Sequence, residues 1–241
     1  MAYSKADLIN ELSLIRGYRT YLEICTPTTG NIYGAIDRAR YACHRLMYRC
    51  PETFNDGMPV DLRSQDLDIT ECAAAIRARG ATYDAILVEP FHEYEPCARD
   101  LGVALELLSR GGTIVVHDCF PRDEAIVVPH FIEGAWCGVT YKAYLDFVLA
   151  RKELSYCTVG TDYGCGVIRL NGGEHSSTPM AQRAPDRLPE DQGQVGERWM
   201  SLGKDYDAAF QLLTTHAGTL LNLVTVEEFL AAERRSTPAP V

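Results

Sequence analysis

Residues 83–119, YDAILVEPFHEYEPCARDLGVALELLSRGGTIVVHDC, commit this part of the chain to a parallel α/β sheet. Ala85-Ile86-Leu87-Val88 is a short unbroken apolar run, as expected of a strand buried on both faces, and Glu89-Pro90 stops it. Cys97, Leu101, Ala104, Leu105 and Leu108 then recur at helical spacing, with Arg99, Asp100 and Glu106 on the opposite side. Gly111-Gly112 predicts a turn, and Thr113-Ile114-Val115-Val116 is a second, β-branched strand. Two parallel strands joined through a helix make a right-handed unit, and ligands of such sheets lie outside the carboxyl ends of the strands. Here those ends carry Glu89, His92, His117 and Asp118.

The 241 residues suit one α/β domain with a short appendage. A formal net charge of -10 with no concentrated basic stretch argues against a nucleic-acid partner and favours a cationic small molecule. The opening MAYSKADLINELSLIRGY mixes charged and apolar residues at helical spacing, which predicts neither a signal peptide nor a membrane span and therefore a cytoplasmic protein. The cysteines are scattered through predicted strands and helices without a CxxC pair, so they read as reduced thiols.

Residues 5–16 predict an amphipathic helix with Leu8, Leu12 and Ile15 inward, and residues 20–25, TYLEIC, the first strand. The turn TPTTGNIYG opens an expected helix over 32–38. Residues 40–48 are ambiguous between strand and helix, a short strand is expected near 58–62, and a helix over 69–79. Beyond the central unit, a helix over 140–150 precedes an antiparallel pair, 154–159 and 165–170, joined by GTDYG. The expected organisation is a domain over 1–170, a linker or loop over 171–196 rich in Gly, Ser, Pro and charge, and a helical extension over 197–235 with a Thr225-x-x-Glu228 capping box.

The first strand YLEI, the run YDAILVE-x-x-H-x-YE…RDL, GGTIVVHDC-x-P, WCGVTYKAY and TDYGCGVI together resemble the class I S-adenosylmethionine-dependent methyltransferases. The similarity spans roughly residues 18–170 and is greatest to a small bacterial group with a His-containing turn after strand 4 and His-Asp after strand 5. It implies a Rossmann-like seven-stranded, mostly parallel sheet with helices on both faces and an antiparallel last strand. By position it implies that Glu23, Cys25, Thr26, Thr28, Gly30 and Glu89 bind the cofactor, and that His92, His117 and Asp118 face the methyl group and acceptor. Tyr94, Trp136 and Lys142 are the expected substrate contacts at the mouth. Cys25 stands where the family pattern has Gly, and no acid ends the second strand.

The implied function is transfer of a methyl group to an oxygen or nitrogen of a polar small molecule, such as a sugar-containing natural product, with a histidine as base. Glu89 and Asp118 are the acids a divalent ion would use, but their number is small and no metal is expected. The rival readings are a cofactor-free binding or scaffold protein on the same fold and a metal-dependent enzyme. The C-terminal helices are available to pair two subunits as a homodimer or to close over the site.

Overall fold

The computed structural model describes residues 3–29, 32–171 and 189–236. Eight strands, β1 (Thr20–Cys25), β2 (Ala42–Met47), β3 (Leu62–Arg63), β4 (Tyr83–Val88), β5 (Leu108–Val116), β6 (Leu154–Val159), β7 (Cys165–Leu170) and β8 (Leu223–Val224), form one sheet in the order β3-β2-β1-β4-β5-β7-β6-β8. The pairs from β3 through β5 are parallel, whereas β7 runs antiparallel to β5 and β6. The architecture is the mostly parallel, Rossmann-like sheet with an antiparallel last strand that the sequence implies. It gains an eighth, two-residue strand, β8, which the C-terminal extension adds in parallel to β6.

The helices α1 (Lys5–Arg16), α2 (Thr70–Ala78), α3 (Tyr94–Leu107), α4 (Thr140–Leu149), α5 (Pro189–Ser201), α6 (Tyr206–Leu220) and α7 (Val226–Ser236) cover both faces. Leu101, Tyr141, Trp199 and Leu213 bring α3, α4, α5 and α6 onto one face with Ile86, Val88, Ile114 and Val116. Leu8, Leu12, Phe229 and Leu230 bring α1 and α7 onto the other with Tyr21, Leu87 and Val115. Alternation of side chains along β4 and β5 therefore feeds both cores, which is why these strands are apolar throughout.

Three expectations change. The helix expected over 32–38 is a single 3-10 turn, Tyr33–Ala35. The Asn10 side chain of α1 donates to Ala35 O and accepts from Asp37 N, replacing bonds that a longer helix would make internally. Gly111-Gly112 is not a turn: α3 passes directly into β5, and the glycines lie where the register against β4 shifts. A Cβ on Gly112 would stand 2.8 Å from Asp84 O, so the close approach of β4 needs glycine. Within the stretch expected as a linker, α5 begins at Pro189, while 172–188 lie outside the described residues. The Thr225 to Glu228 capping box forms, with Thr225 N donating to Glu228 Oε2 (2.8 Å) and Glu228 N to Thr225 Oγ1 (3.1 Å).

Candidate active site

Strand order reverses between β1 and β4, which makes their carboxyl ends the crevice of the sheet. The loop after β1 and the turn after β4 meet there, with Thr29 Oγ1 donating to Glu89 O (3.3 Å). One strand further along, β5 ends at Val116 and the chain turns at Asp118 with φ 61. That left-handed residue, tolerable for Asp, breaks the strand alternation that would have sent the His117 and Asp118 side chains to opposite faces. His117 Nδ1 lies 3.3 Å from Asp118 Oδ1 and 3.1 Å from Glu89 Oε1.

His92 enters the same cluster from the turn before α3. Its Nδ1 donates to Trp136 O (2.5 Å), so in the neutral ring the lone pair is on Nε2. Nε2 is 3.0 Å from Asp118 Oδ2 without forming a hydrogen bond to it, and 3.8 Å from Glu89 Oε1, beyond hydrogen-bond reach. The remaining Asp118 oxygen accepts from Cys137 Sγ (3.1 Å). Glu89, His92 and Asp118 each offer one ligand atom, all within 4.8 Å of one another. Gly138 allows this loop to approach: its φ is 54, and a Cβ there would fall 2.0 Å from His92 O. Gly138→Ala is expected to cost more than about 2 kcal/mol of stability, read from the urea midpoint, because neither strain nor clash can relax without moving His92.

Two participants have no counterpart among the expected site residues. Lys5, the first residue of α1, buries its ammonium 2.7 Å from Glu89 Oε2 and 3.2 Å from His117 Nδ1. Asp162, in the β6–β7 turn, accepts from Lys5 N (3.0 Å) and lies 3.4 Å from His117 Nε2. Burial alone would raise the Glu89 carboxyl, but His117 and Lys5 outweigh it and hold it well below the usual carboxylate range. Burial would likewise lower His117 and Lys5, yet Glu89 and its neighbouring acids raise both, so each keeps its proton. The His117 ring beside it takes Asp162 down to about 2.

The expected cofactor and substrate residues divide. Thr26 N donates to Thr29 Oγ1 (3.0 Å), and Thr26 Oγ1 lies 3.1 Å from Thr28 Oγ1, so the hydroxyls tie the loop after β1 to itself. Cys25 packs with Met47 and Cys50, and Gly30 lies outside the described residues. Glu23 is wholly buried on the α1 side of the sheet, where it accepts from Tyr21 Oη (2.9 Å) and stands 4.0 Å from Arg45 Nε. Where β2 ends, Tyr48 donates to Asp100 (2.6 Å) and exposed Arg49 sits 4.1 Å above the Phe91 ring. Trp136 borders the site through its contact with His92, and with Phe91 and Phe131 it forms an aromatic group. Tyr94 and Lys142 are drawn away instead, both to Asp146, which also accepts from Trp199 Nε1 of α5 (2.7 Å).

Glu23 supplies a test of these electrostatics. Burial outweighs Tyr21 and Arg45 and raises its carboxyl from 4.5 to about 7, so the folded protein holds a proton that the unfolded chain releases. That contribution to stability is present below pH 4.5 and is lost as pH rises to about 7. Glu23→Gln is therefore expected to gain stability relative to the parent between mildly acidic and mildly alkaline pH, by on the order of 2–3 kcal/mol in urea unfolding.

No family profile matches the chain, and no curated protein is similar to it. Among solved structures, it is similar to the O-methyltransferase TomG of Streptomyces achromogenes, a protein of tomaymycin synthesis in complex with S-adenosylmethionine (15% identity, 70% of this chain and 80% of that one, TM-score 0.49). It is also similar to a Klebsiella pneumoniae protein described as an O-methyltransferase (15% identity, 69% and 80%, TM-score 0.49). A Bacillus cereus O-methyltransferase in complex with S-adenosylhomocysteine follows (17% identity, 68% and 78%, TM-score 0.45). At these scores the assignment of fold rests on the strand order and strand directions of the chain itself. Among the described residues no helix is long and apolar enough to cross a membrane.

Proposed function

We propose that the protein is an S-adenosylmethionine-dependent methyltransferase acting on an oxygen or nitrogen of a polar small molecule. The carrying observation is His92: it is buried beside the carboxyl-end crevice, its Nδ1 committed to Trp136 O and its Nε2 next to Asp118. The donor set suits a cationic cofactor, since three carboxyl groups, Glu89, Asp118 and Asp162, face one ammonium and one imidazolium. Phe91 and Trp136 pack edge to face and are buried beside His92, walling that side of the edge. S-adenosylmethionine, when bound, supplies an electrophilic methyl group. His92 Nε2 accepts the proton that the acceptor loses, Asp118 stabilises the resulting imidazolium, and the buried edge keeps water from competing.

The competing reading is a cofactor-free binding protein on this fold, favoured by Arg49 where an acid would hold ribose hydroxyls and by Cys25 in the loop after β1. Calorimetric titration with S-adenosylhomocysteine separates the two. A saturable exothermic isotherm is expected; no heat at millimolar ligand would exclude the methyltransferase.

A further inference from the structure

The acidic edge carries a cation of its own, delivered from residue 5 of the chain. Lys5 lies on the same helical stripe as Leu8, Ile9 and Leu12, so the packing of α1 directs its side chain under the sheet edge. Ser4 caps the helix beside it through a complete capping box with Asp7, and Arg16 at the other end is fixed by Glu233 (2.6 Å). The helix that carries the ammonium is therefore fixed at both ends. The Lys5 side chain is 6% exposed and contacts Glu89 Oε2.

On the other side of the same carboxylate, Glu89 Oε1, His92 Nε2 and Asp118 Oδ2 have the chemistry of a site for a divalent ion. The Nδ1 bond of His92 to a backbone carbonyl is the usual outer support of a metal-binding histidine. Lys5 competes with such an ion for Glu89. A dication reached through Oε1 would share one carboxylate with an ammonium and meet the repulsion of both Lys5 and His117.

We propose that Lys5 is the resident cation of this edge, a positioning residue whose ammonium takes the electrostatic place of a divalent ion and lets the Glu89, His92 and Asp118 group work without metal. The role deepens the methyl-transfer reading and rests on it only where turnover is measured. Lys5 orients Glu89 through Oε2, and Glu89 in turn holds His117 through Oε1.

The test titrates Mn2+ calorimetrically into the full-length parent, Lys5→Ala, and Lys5→Ala combined with Glu89→Gln, with methylammonium as a second probe. The parent should show no saturable Mn2+ binding at millimolar ion. Lys5→Ala should bind Mn2+ at least about tenfold more tightly, and the second substitution should abolish that gain. Methylammonium, but not tetramethylammonium at equal ionic strength, should raise the Tm of Lys5→Ala; a lysine that merely packs would give neither response. Saturable Mn2+ binding by the parent that Glu89→Gln removes would overturn the proposal, as would a folded Lys5→Ala that gains no affinity for Mn2+. If Lys5→Ala does not fold, Lys5→Met keeps the side-chain packing and the same outcomes apply to it. Turnover of the parent that EDTA abolishes and Mn2+ restores would overturn it by a separate route. The Mn2+ and Tm measurements read binding alone, so they stand whether or not S-adenosylhomocysteine binds.

Discussion

His92→Ala is expected to lower kcat by on the order of a hundredfold to ten-thousandfold while leaving S-adenosylhomocysteine affinity nearly intact. The asymmetry with His117 follows from what each ring touches. His92 has one nitrogen committed to Trp136 O and the other beside Asp118 without a linear hydrogen bond, so its proton-accepting atom is defined. His117 is wedged among Glu89, Asp118, Asp162 and Lys5, and the acids keep it protonated, which removes the lone pair a base needs. His117→Ala should therefore act mainly on stability, with kcat per folded molecule falling less than about tenfold. Single-turnover rates at saturating S-adenosylmethionine, corrected for the folded fraction, measure both. Equal losses in the two variants would remove the assignment of His92 as base.

The unit from β4 through β5 was legible because an unbroken apolar strand, an amphipathic helix and a β-branched strand have few other ways to pack. The convergence of His117 and Asp118 was implied by the family resemblance but not by the residues themselves, because strand alternation separates adjacent side chains and only the positive φ of Asp118 reverses that. Lys5 was not among the expected site residues, although it shares the inward stripe of α1 with Leu8 and Leu12, and a lysine on an apolar stripe needs a partner. That partner, Glu89, is 84 residues away, and no local pattern names it. Tyr94 and Lys142 looked like mouth residues from chain order alone, but Trp199 of α5 folds back and shares Asp146 with them. A helix arriving from beyond residue 188 was outside what the methyltransferase-like region could reveal.

Glu233→Ala is expected to cost about 3–5 kcal/mol of stability, the largest single loss from a residue remote from the site. Its carboxylate receives Arg16 Nε at 2.6 Å and both terminal nitrogens of Arg169, at 2.8 and 3.0 Å, and it is 3% exposed. Removing it leaves two guanidinium groups in the space between α1, β7 and α7 with their charge uncompensated, which costs more than the lost attraction itself. Burial would raise the Glu233 carboxyl, but Arg169 and then Arg16 outweigh it and lower it below 4.5. Its stabilisation is therefore complete above pH 4.5 and is lost as the pH falls through the lowered value. The parent should lose stability relative to Glu233→Ala as urea unfolding is carried from neutral pH into that acid range. A variant with Arg16, Arg169 and Glu233 all replaced by Met should recover much of the loss, because no buried charge is then left alone. Since Glu233 anchors the end of α1 opposite Lys5, the Ala variant should also lose turnover beyond its unfolded fraction, whereas the triple Met variant, with α1 packed again, should not.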